Sequence, residues 1–307
     1  MPATTVRVVT WNLFHARDGL PGLGATRRST WLRSPVDDGV HVHLNRKHTG
    51  PMARRIAAWA PDLCALQEVP TAAIRELVAV TGMRAVWAPT GPLIGPRRLR
   101  DALAARNPDL WRTHEGNANV LLVGPRLAIV PGSARSVRLN PPGPMLRAAL
   151  RGRIGAGELL RYLPEPRRLV VARVRLPGGA EAVAGCVHCH NARDPELTGL
   201  EIARAAREVA ADAGGGPAVL AGDLNARPGH PALAALAAAG WDHAAPAAGA
   251  GIDRILSRGL ATVEAPRALP AAEREVAVRA GERRRLVRLS DHDPVVATLR
   301  APTASAG

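Results

Sequence analysis

The apolar runs of this chain end again and again in an acid, an amide or an imidazole, and this pattern limits what the chain can become. Val6 to Trp11 reads as a β-branched strand followed by Asn12, and Leu63 to Gln67 as a second strand followed by Glu68. A strand over 181–187 ends at His188, and one over 218–221 is followed by Asp223 and Asn225. Asp253 sits at the start of a strand over 252–256, and Asp291 and His292 immediately precede one over 295–299. Buried strands that finish in carboxylates, amides and imidazoles predict one polar site along an edge of the sheets.

Between these strands the periodicity changes. Met52, Ile56 and Trp59 recur at helical spacing over 51–60, and Pro61 stops that helix. A second amphipathic helix is predicted over 71–81, closed by Gly82. Asp194-Pro195 supplies an N-cap and a first-turn proline for a helix that runs to about Asp212 and stops at Gly214-Gly215-Gly216. An Ala/Leu helix follows over 230–239.

A strand is expected over 84–88. Two hairpins are expected: 119–123 with 127–130 across Gly124-Pro125-Arg126, and 169–176 with 181–187 across Pro177-Gly178-Gly179. The stretches 13–50, 89–116, 243–251 and 265–288 read as loops, the last as a charged hairpin or flap. Strands alternating with helices, interrupted by hairpins, predict mixed sheets packed together with helices outside. A single domain over 1–300 is expected, with a frayed tail over 301–307.

Composition narrows the partners. Of 307 residues, 41 are Lys or Arg and 26 are Asp or Glu, a net charge of +15 that suits a polyanion such as nucleic acid. Only Lys47 is a lysine, which reads as GC-rich coding bias; bias explains arginine over lysine but not the surplus over acids. Aromatic residues are 3%, too few for extensive base stacking. No apolar run approaches the roughly 18 residues of a membrane span. The N-terminus carries no basic segment followed by an apolar one, so no secretory signal and a cytoplasmic setting are expected. Three cysteines make no disulfide framework.

Singly, these polar groups have ordinary readings. Asp223-Leu224-Asn225 places two side chains on one side of an extended segment, but also describes an Asx-turn. Cys186-Val187-His188-Cys189 contains Cys-x-x-Cys, yet in a strand the two thiols face opposite sides, and two buried thiols are expected rather than a metal site. His188 and His190 share a side, and His188 is preferred because it ends the apolar run.

Together, five motifs resemble the endonuclease/exonuclease/phosphatase superfamily, the group of deoxyribonuclease I, exonuclease III-type repair nucleases, inositol polyphosphate 5-phosphatases and bacterial sphingomyelinases. They are Thr10-Trp11-Asn12-Leu13, Pro61 to Val69 with Gln67-Glu68, Gly222-Asp223-Leu224-Asn225-Ala226, Gly251-Ile252-Asp253-Arg254-Ile255 and Ser290-Asp291-His292-Asp293-Pro294-Val295, in the family's order. Gly116-Asn117-Ala118 and Val187-His188 fit its middle motifs more loosely.

The resemblance implies a four-layer α/β/β/α sandwich, Mg²⁺ or Mn²⁺, and hydrolysis of a phosphate ester. It implies Glu68 as the main metal ligand with Asn12 and Asp291 nearby. Asp223 would orient or deprotonate water, and Asn225 would hold water or a phosphate oxygen. His292 would act as acid/base with Asp253 fixing its tautomer, and His188 would donate to phosphate oxygens. Asn117, from its looser motif match, and Arg288, from its closeness in sequence to Asp291, are expected as further phosphate contacts.

A nuclease acting on DNA or RNA is the first reading; a phosphatase or diesterase of a small phosphorylated compound or lipid head group is the second. A sphingomyelinase-type enzyme would need export and apolar membrane loops, and neither is seen. A catalytically silent binding protein would have lost Glu68, Asp223 or His292, all present here.

Three other groups of residues complete the survey. His41, His43 and His48 are read as surface histidines of a loop rather than a second metal site. Arg97, Arg98 and Arg100 read equally as a phosphate contact or a solvated helix end, and Arg283 to Arg285 with Arg288 as the better backbone contact. Trp11, Trp59 and Trp87 are read as core.

Overall fold

The computed structural model describes residues 5–19, 36–44, 46–91, 96, 98–99, 102, 116–163, 165–242 and 251–301. Its strands are β1 (Thr5–Asn12), β2 (Val36–Asp37), β3 (Val42–His43), β4 (Leu63–Val69), β5 (Arg84–Pro89), β6 (Ala118–Val123), β7 (Ala128–Ile129), β8 (Arg135–Arg138), β9 (Arg168–Arg175), β10 (Glu181–His188), β11 (Ala218–Asp223), β12 (Asp253–Arg258), β13 (Ala261–Ala268), β14 (Glu275–Ala280), β15 (Arg283–Arg288) and β16 (Val295–Arg300). Its helices are α1 (Thr49–Trp59), α2 (Ile74–Thr81), α3 (Pro142–Leu150), α4 (Ala156–Tyr162), α5 (Pro195–Ala213) and α6 (Pro231–Ala238).

One sheet runs β13-β16-β1-β4-β6-β5, and the other β12-β11-β10-β9-β7 with β8 also on β9. Strand alternation sorts the side chains. Val6, Val8, Leu63, Ala65 and Leu121 of the first sheet meet Val170, Ala172, Ala184, Cys186 and Val219 of the second in one apolar layer. Their neighbours Val9, Trp11, Cys64 and Leu66 point the other way, onto Met52, Ile56 and Trp59 of α1 and Leu77 of α2. Leu169, Val171, Val183 and Leu220 pack outward onto Ile202, Ala205 and Val209 of α5 and Leu233 of α6. The result is the expected four-layer sandwich.

Pairing brings the strand ends together. β1 runs parallel to β4 and antiparallel to β16; β4 is antiparallel to β6. β10 runs parallel to β11 and antiparallel to β9, and β11 is antiparallel to β12. The ends of β1 and β4 and the starts of β6 and β16 therefore share one edge, as do the ends of β10 and β11 and the starts of β9 and β12.

Helix boundaries follow local chemistry. Ala60 closes α1 in a left-handed conformation (φ 47°) with its N–H on Ala57 O, and Pro61 after it cannot continue the helix. The Asp194 side chain accepts from Glu196 N at 3.1 Å, and α5 ends at Gly214 (φ 56°). No helix among the described residues is long and apolar enough to cross a membrane.

Several expectations are corrected. The segments 119–123 and 127–130 do not form a hairpin: β6 pairs with β4 and β5, whereas β7 pairs with β9 in the other sheet. The turn between them is tied to the start of β4, with Gly124 N donating to Asp62 O at 2.8 Å and Arg126 paired to the Asp62 carboxylate, so the chain crosses the sandwich there. The stretch 265–288 begins inside β13, a full strand on β16, before the β14–β15 hairpin. Trp87, on the edge strand β5, is 48% exposed and not core. The 301–307 tail (beyond Ala301) and the 243–251 loop (up to residue 250) lie outside the described residues, as do Arg97 and Arg100.

Candidate active site

Asn12 closes β1 at the shared edge and is buried. Its Nδ2 donates to Glu68 Oε1 and to Asp223 Oδ2, each at 3.2 Å, while its Oδ1 accepts from Phe14 N at 3.0 Å. One amide thus joins the two sheets and sets the spacing of two carboxylates. His188 Nε2 lies 3.5 Å from Asp223 Oδ2 and 3.9 Å from Glu68 Oε1. His292 faces the same Asp223 oxygen with Nε2 at 3.9 Å and presents Nδ1 to Asp253 Oδ2 at 2.7 Å.

The electrostatics divide the histidines. Burial, reinforced by the Arg167 and His292 charges, holds His188 well below the ordinary imidazole range, so it is neutral at pH 7. Burial acts in the same sense on His292, but the charge and hydrogen bond of Asp253, with Asp223 and Asp291 nearby, raise it well above that range. Burial and the neighbouring Asp253 push the Asp223 carboxyl up.

The backbone is contorted at this place. Among the described residues, the non-glycine positions with positive φ are Phe14 (47°), His15 (56°), Ala16 (54°), Ala60 (47°), Glu68 (52°), Asn225 (50°) and Ser290 (65°). All but Ala60 belong to segments that carry the site. Such conformations cost about 1–3 kcal/mol each and persist where surrounding contacts fix them. At Glu68 the cause is an irregularity in the β4–β6 pairing between Leu66 and Val69, which turns the carboxylate out of the ladder.

The fixing contacts are specific. Ser290 Oγ donates to Asn12 O at 2.6 Å and accepts from His292 N at 3.1 Å, and Trp11 Nε1 donates to His292 O at 3.0 Å. Arg274 donates to Ser290 O and pairs with Asp293.

Asp18 anchors the loop after β1. Its carboxylate accepts from Leu44 N and Arg46 N at 2.5 and 2.6 Å and meets His43 Nδ1 at 2.8 Å and His48 Nε2 at 3.3 Å. His43 and His48 are therefore buried structural partners and not surface histidines, because Asp18 draws them in; His41 pairs with Glu275 at 2.8 Å.

The remaining expected residues fall as follows. Asn225 N donates to Asp223 Oδ1 at 2.9 Å, the Asx geometry, and its Nδ2 donates to Cys189 O at 2.8 Å. Asp291 is exposed in the turn before β16. Asn117, buried just ahead of β6, has its Oδ1 without a hydrogen-bond partner. Arg288 ends β15, with its guanidinium 3.5 Å from Glu275 across the hairpin. His190 turns away from the two carboxylates to Glu201 of α5, 2.5 Å from Nδ1. Cys186 and Cys189 are buried on opposite faces of the sheet, in different apolar layers.

Two neighbours of the site carried no readable signal. His15 places Nε2 3.4 Å from Glu68 Oε2, and Arg167 is a buried guanidinium close enough to His188 to lower its proton affinity.

The donor set fits a hard divalent cation. Glu68 and Asp223 crowd one amide, Asp253 and His292 stand beside Asp223, and ligand atoms of Asp223, Asp253 and His292 lie within 4.8 Å of one another. Carboxylates crowded at such spacing, with an aspartate whose charged form burial disfavours, are what a cation would stabilise, while the protonated His292 stands beside them as a hydrogen-bond donor.

Two mixed sheets face to face between helices, with carboxylates, amides and histidines gathered at one edge, define a phosphoesterase-type fold. The chain belongs to the endonuclease/exonuclease/phosphatase family, whose pattern matches residues 9–292. Members of this family hydrolyse phosphoester bonds. The chain is similar to a family member from Beutenbergia cavernae (TM-score 0.63, 19% identity, covering 99% of this chain and 73% of that one). It is similar to one from Bacteroides thetaiotaomicron (TM-score 0.64, 13% identity, 99% and 100% covered). It also resembles the mannosyl-6-phosphatase Bt3783 of Bacteroides thetaiotaomicron VPI-5482 (TM-score 0.62, 14% identity, 96% and 99% covered). At these identities the likeness establishes the fold. No curated protein sequence matches this chain.

Proposed function

We propose that this protein is a divalent-metal-dependent phosphodiesterase whose substrate is nucleic acid. The observation that carries the chemistry is the row Asp253–His292–Asp223 set beside the Asn12-bridged Glu68. Glu68 would hold Mg²⁺ or Mn²⁺, with Asp291 on the facing turn and Asn12 keeping Glu68 apart from Asp223. The bound ion supplies charge neutralisation at the phosphate.

The chain's own groups do the rest. Asp223, with Oδ1 taken by Asn225 N and one lone pair of Oδ2 by Asn12 Nδ2, offers the remaining lone pair of Oδ2 to a water that it orients and deprotonates. His292, held protonated by Asp253, faces the phosphate or leaving oxygen through Nε2. His188, neutral, donates one N–H to a phosphate oxygen. Asn117 and Asn225 provide amides for the remaining oxygens.

The polymeric substrate is supported by charge. The β14–β15 hairpin leads directly into the Ser290–His292 turn and carries Arg279, Arg283 and Arg284 on its exposed surface, in a chain of net charge +15. A second reading has its own observation. Arg167, buried near His188 and 3.4 Å from Glu165, adds a cation that suits the dianion of a small phosphomonoester, and a phosphomonoesterase is among the proteins of similar fold.

The test is nicking of supercoiled plasmid with Mg²⁺ or Mn²⁺, with EDTA and Asp223→Ala as controls, beside hydrolysis of p-nitrophenyl phosphate and bis-p-nitrophenyl phosphate. Nicking that needs both metal and Asp223 supports the nuclease. Turnover of the monoester alone moves the substrate to a small phosphate. Turnover of none of the three overturns both.

A further inference from the structure

We propose that His15 is a ligand of the ion held by Glu68, so that the site takes Mn²⁺ or another transition-metal ion in preference to Mg²⁺. This rests on the reading of Glu68 as the metal ligand.

His15 is buried on a turn with three consecutive left-handed residues, none of them glycine. Left-handed runs of L-residues are disfavoured one by one, so something must hold this one. The holding contacts are built in on all sides. Phe14 N donates to Asn12 Oδ1, Arg17 N to Phe14 O, His48 N to Ala16 O and Ser290 N to Arg17 O. Gly19 follows, where an added Cβ would stand 2.1 Å from Ser290 O. These contacts place the imidazole beside the Glu68 carboxylate.

The geometry fits a shared ion better than a hydrogen bond. Nε2 stands 3.4 Å from Glu68 Oε2, the oxygen that Asn12 leaves free, whereas an N–H···O bond centres near about 2.9 Å. Two donors on one cation with bonds near about 2.1 Å lie roughly 3.0–3.4 Å apart. Magnesium takes oxygen donors and keeps its waters, while imidazole suits first-row transition metals, so a nitrogen at this oxygen shifts selectivity away from Mg²⁺.

The experiment titrates Mn²⁺ and Mg²⁺ separately into the full chain by calorimetry, for wild type, His15→Asn and Glu68→Ala. Asn is chosen because it tolerates a left-handed backbone and is too short to reach the ion. The expected result is that His15→Asn raises the Mn²⁺ Kd about tenfold or more, while the Mg²⁺ Kd moves by less than about threefold. Electron spin-echo modulation on bound Mn²⁺ is expected to show a coordinated ¹⁴N signal that weakens in His15→Asn. An unchanged Mn²⁺ Kd, or equal weakening of both ions, overturns the proposal and leaves His15 as a group that orients Glu68. Absence of any coordinated ¹⁴N in the wild type also overturns it, whether or not the variant folds. Mn²⁺ binding that survives Glu68→Ala overturns the metal reading itself.

Discussion

His292 Nδ1 lies 2.7 Å from Asp253 Oδ2, and this contact fixes which nitrogen of the ring faces Asp223. Asp253 starts β12 directly opposite Asp223 at the end of β11, so the aspartate behind the imidazole and the aspartate in front of it are set by one antiparallel register. Asp253→Asn keeps the shape but removes the charge that sustains the imidazolium. The expected outcome is a fall in kcat of about 10²–10⁴-fold with KM nearly unchanged, measured on the diester substrate. A kcat within a few-fold of wild type would show that His292 works without Asp253.

Asn12 donates to Glu68 and Asp223 with one amide nitrogen. In Asn12→Ala those carboxylates lose their spacer and Phe14 N loses its Oδ1 acceptor, while the Ser290 hydroxyl keeps the backbone carbonyl of residue 12. Mn²⁺ affinity measured by calorimetry is expected to fall about 10–100-fold, the range for groups that orient a metal ligand. An affinity equal to wild type would mean that Glu68 is positioned by its own left-handed backbone alone.

Much of this site was legible because a strand's end is a local property. Asn12, Glu68, His188, Asp223 and Asp253 each sit where an apolar run starts or stops, and the pairing of the strands only had to bring those ends together. His188 was separated from His190 on the same ground, and His190 meets Glu201 instead. What escaped depends on contacts distant in sequence. His15 reaches Glu68 only through a left-handed turn, a conformation that no residue in Phe14-His15-Ala16 advertises. His43 and His48 are buried because of Asp18, some 25–30 residues earlier. The turn at Gly124-Pro125-Arg126 marks a reversal of the chain but not which sheet receives it, hence the misplaced hairpin. Helix α3 opens on Pro142-Gly143-Pro144, a turn signal that hides a helix start, and α4 spans only Ala156–Tyr162.

Gly222 precedes Asp223 with φ 152°, and a Cβ there would stand 1.9 Å from Val187 O on the neighbouring strand. Val187 and Gly222 are register partners, so β10 and β11 approach here as only glycine allows. Gly222→Ala must push the two strands apart at the point where they deliver His188 and Asp223. A destabilisation of about 3 kcal/mol is expected, seen as a Tm lower by about 5 °C for a chain of this size, together with loss of activity in the molecules that still fold. An alanine variant with wild-type Tm would contradict the close approach.

Asp18 ties the loop after β1 to the turn that carries His292, through isolated bridges to Leu289 and Ser290. Burial alone would raise its carboxyl, but the hydrogen bonds from His43 and His48, with Leu44 N behind them, hold it well below its ordinary value of 3.8. A carboxyl lowered in the folded state contributes stability that is fully present above its unfolded value and is lost as pH falls through that value toward the folded one. Asp18→Asn removes the charge and keeps the shape. Urea midpoints are therefore expected to show the variant less stable by about 2 kcal/mol or more at neutral pH. The gap should begin to narrow as the pH falls below about 4, where the unfolded chain's carboxyl takes a proton while the folded one stays ionised, and should close only toward the much lower folded value. A gap that stays constant from neutral to acid pH would place the stabilisation in the shape of the side chain and not in its charge.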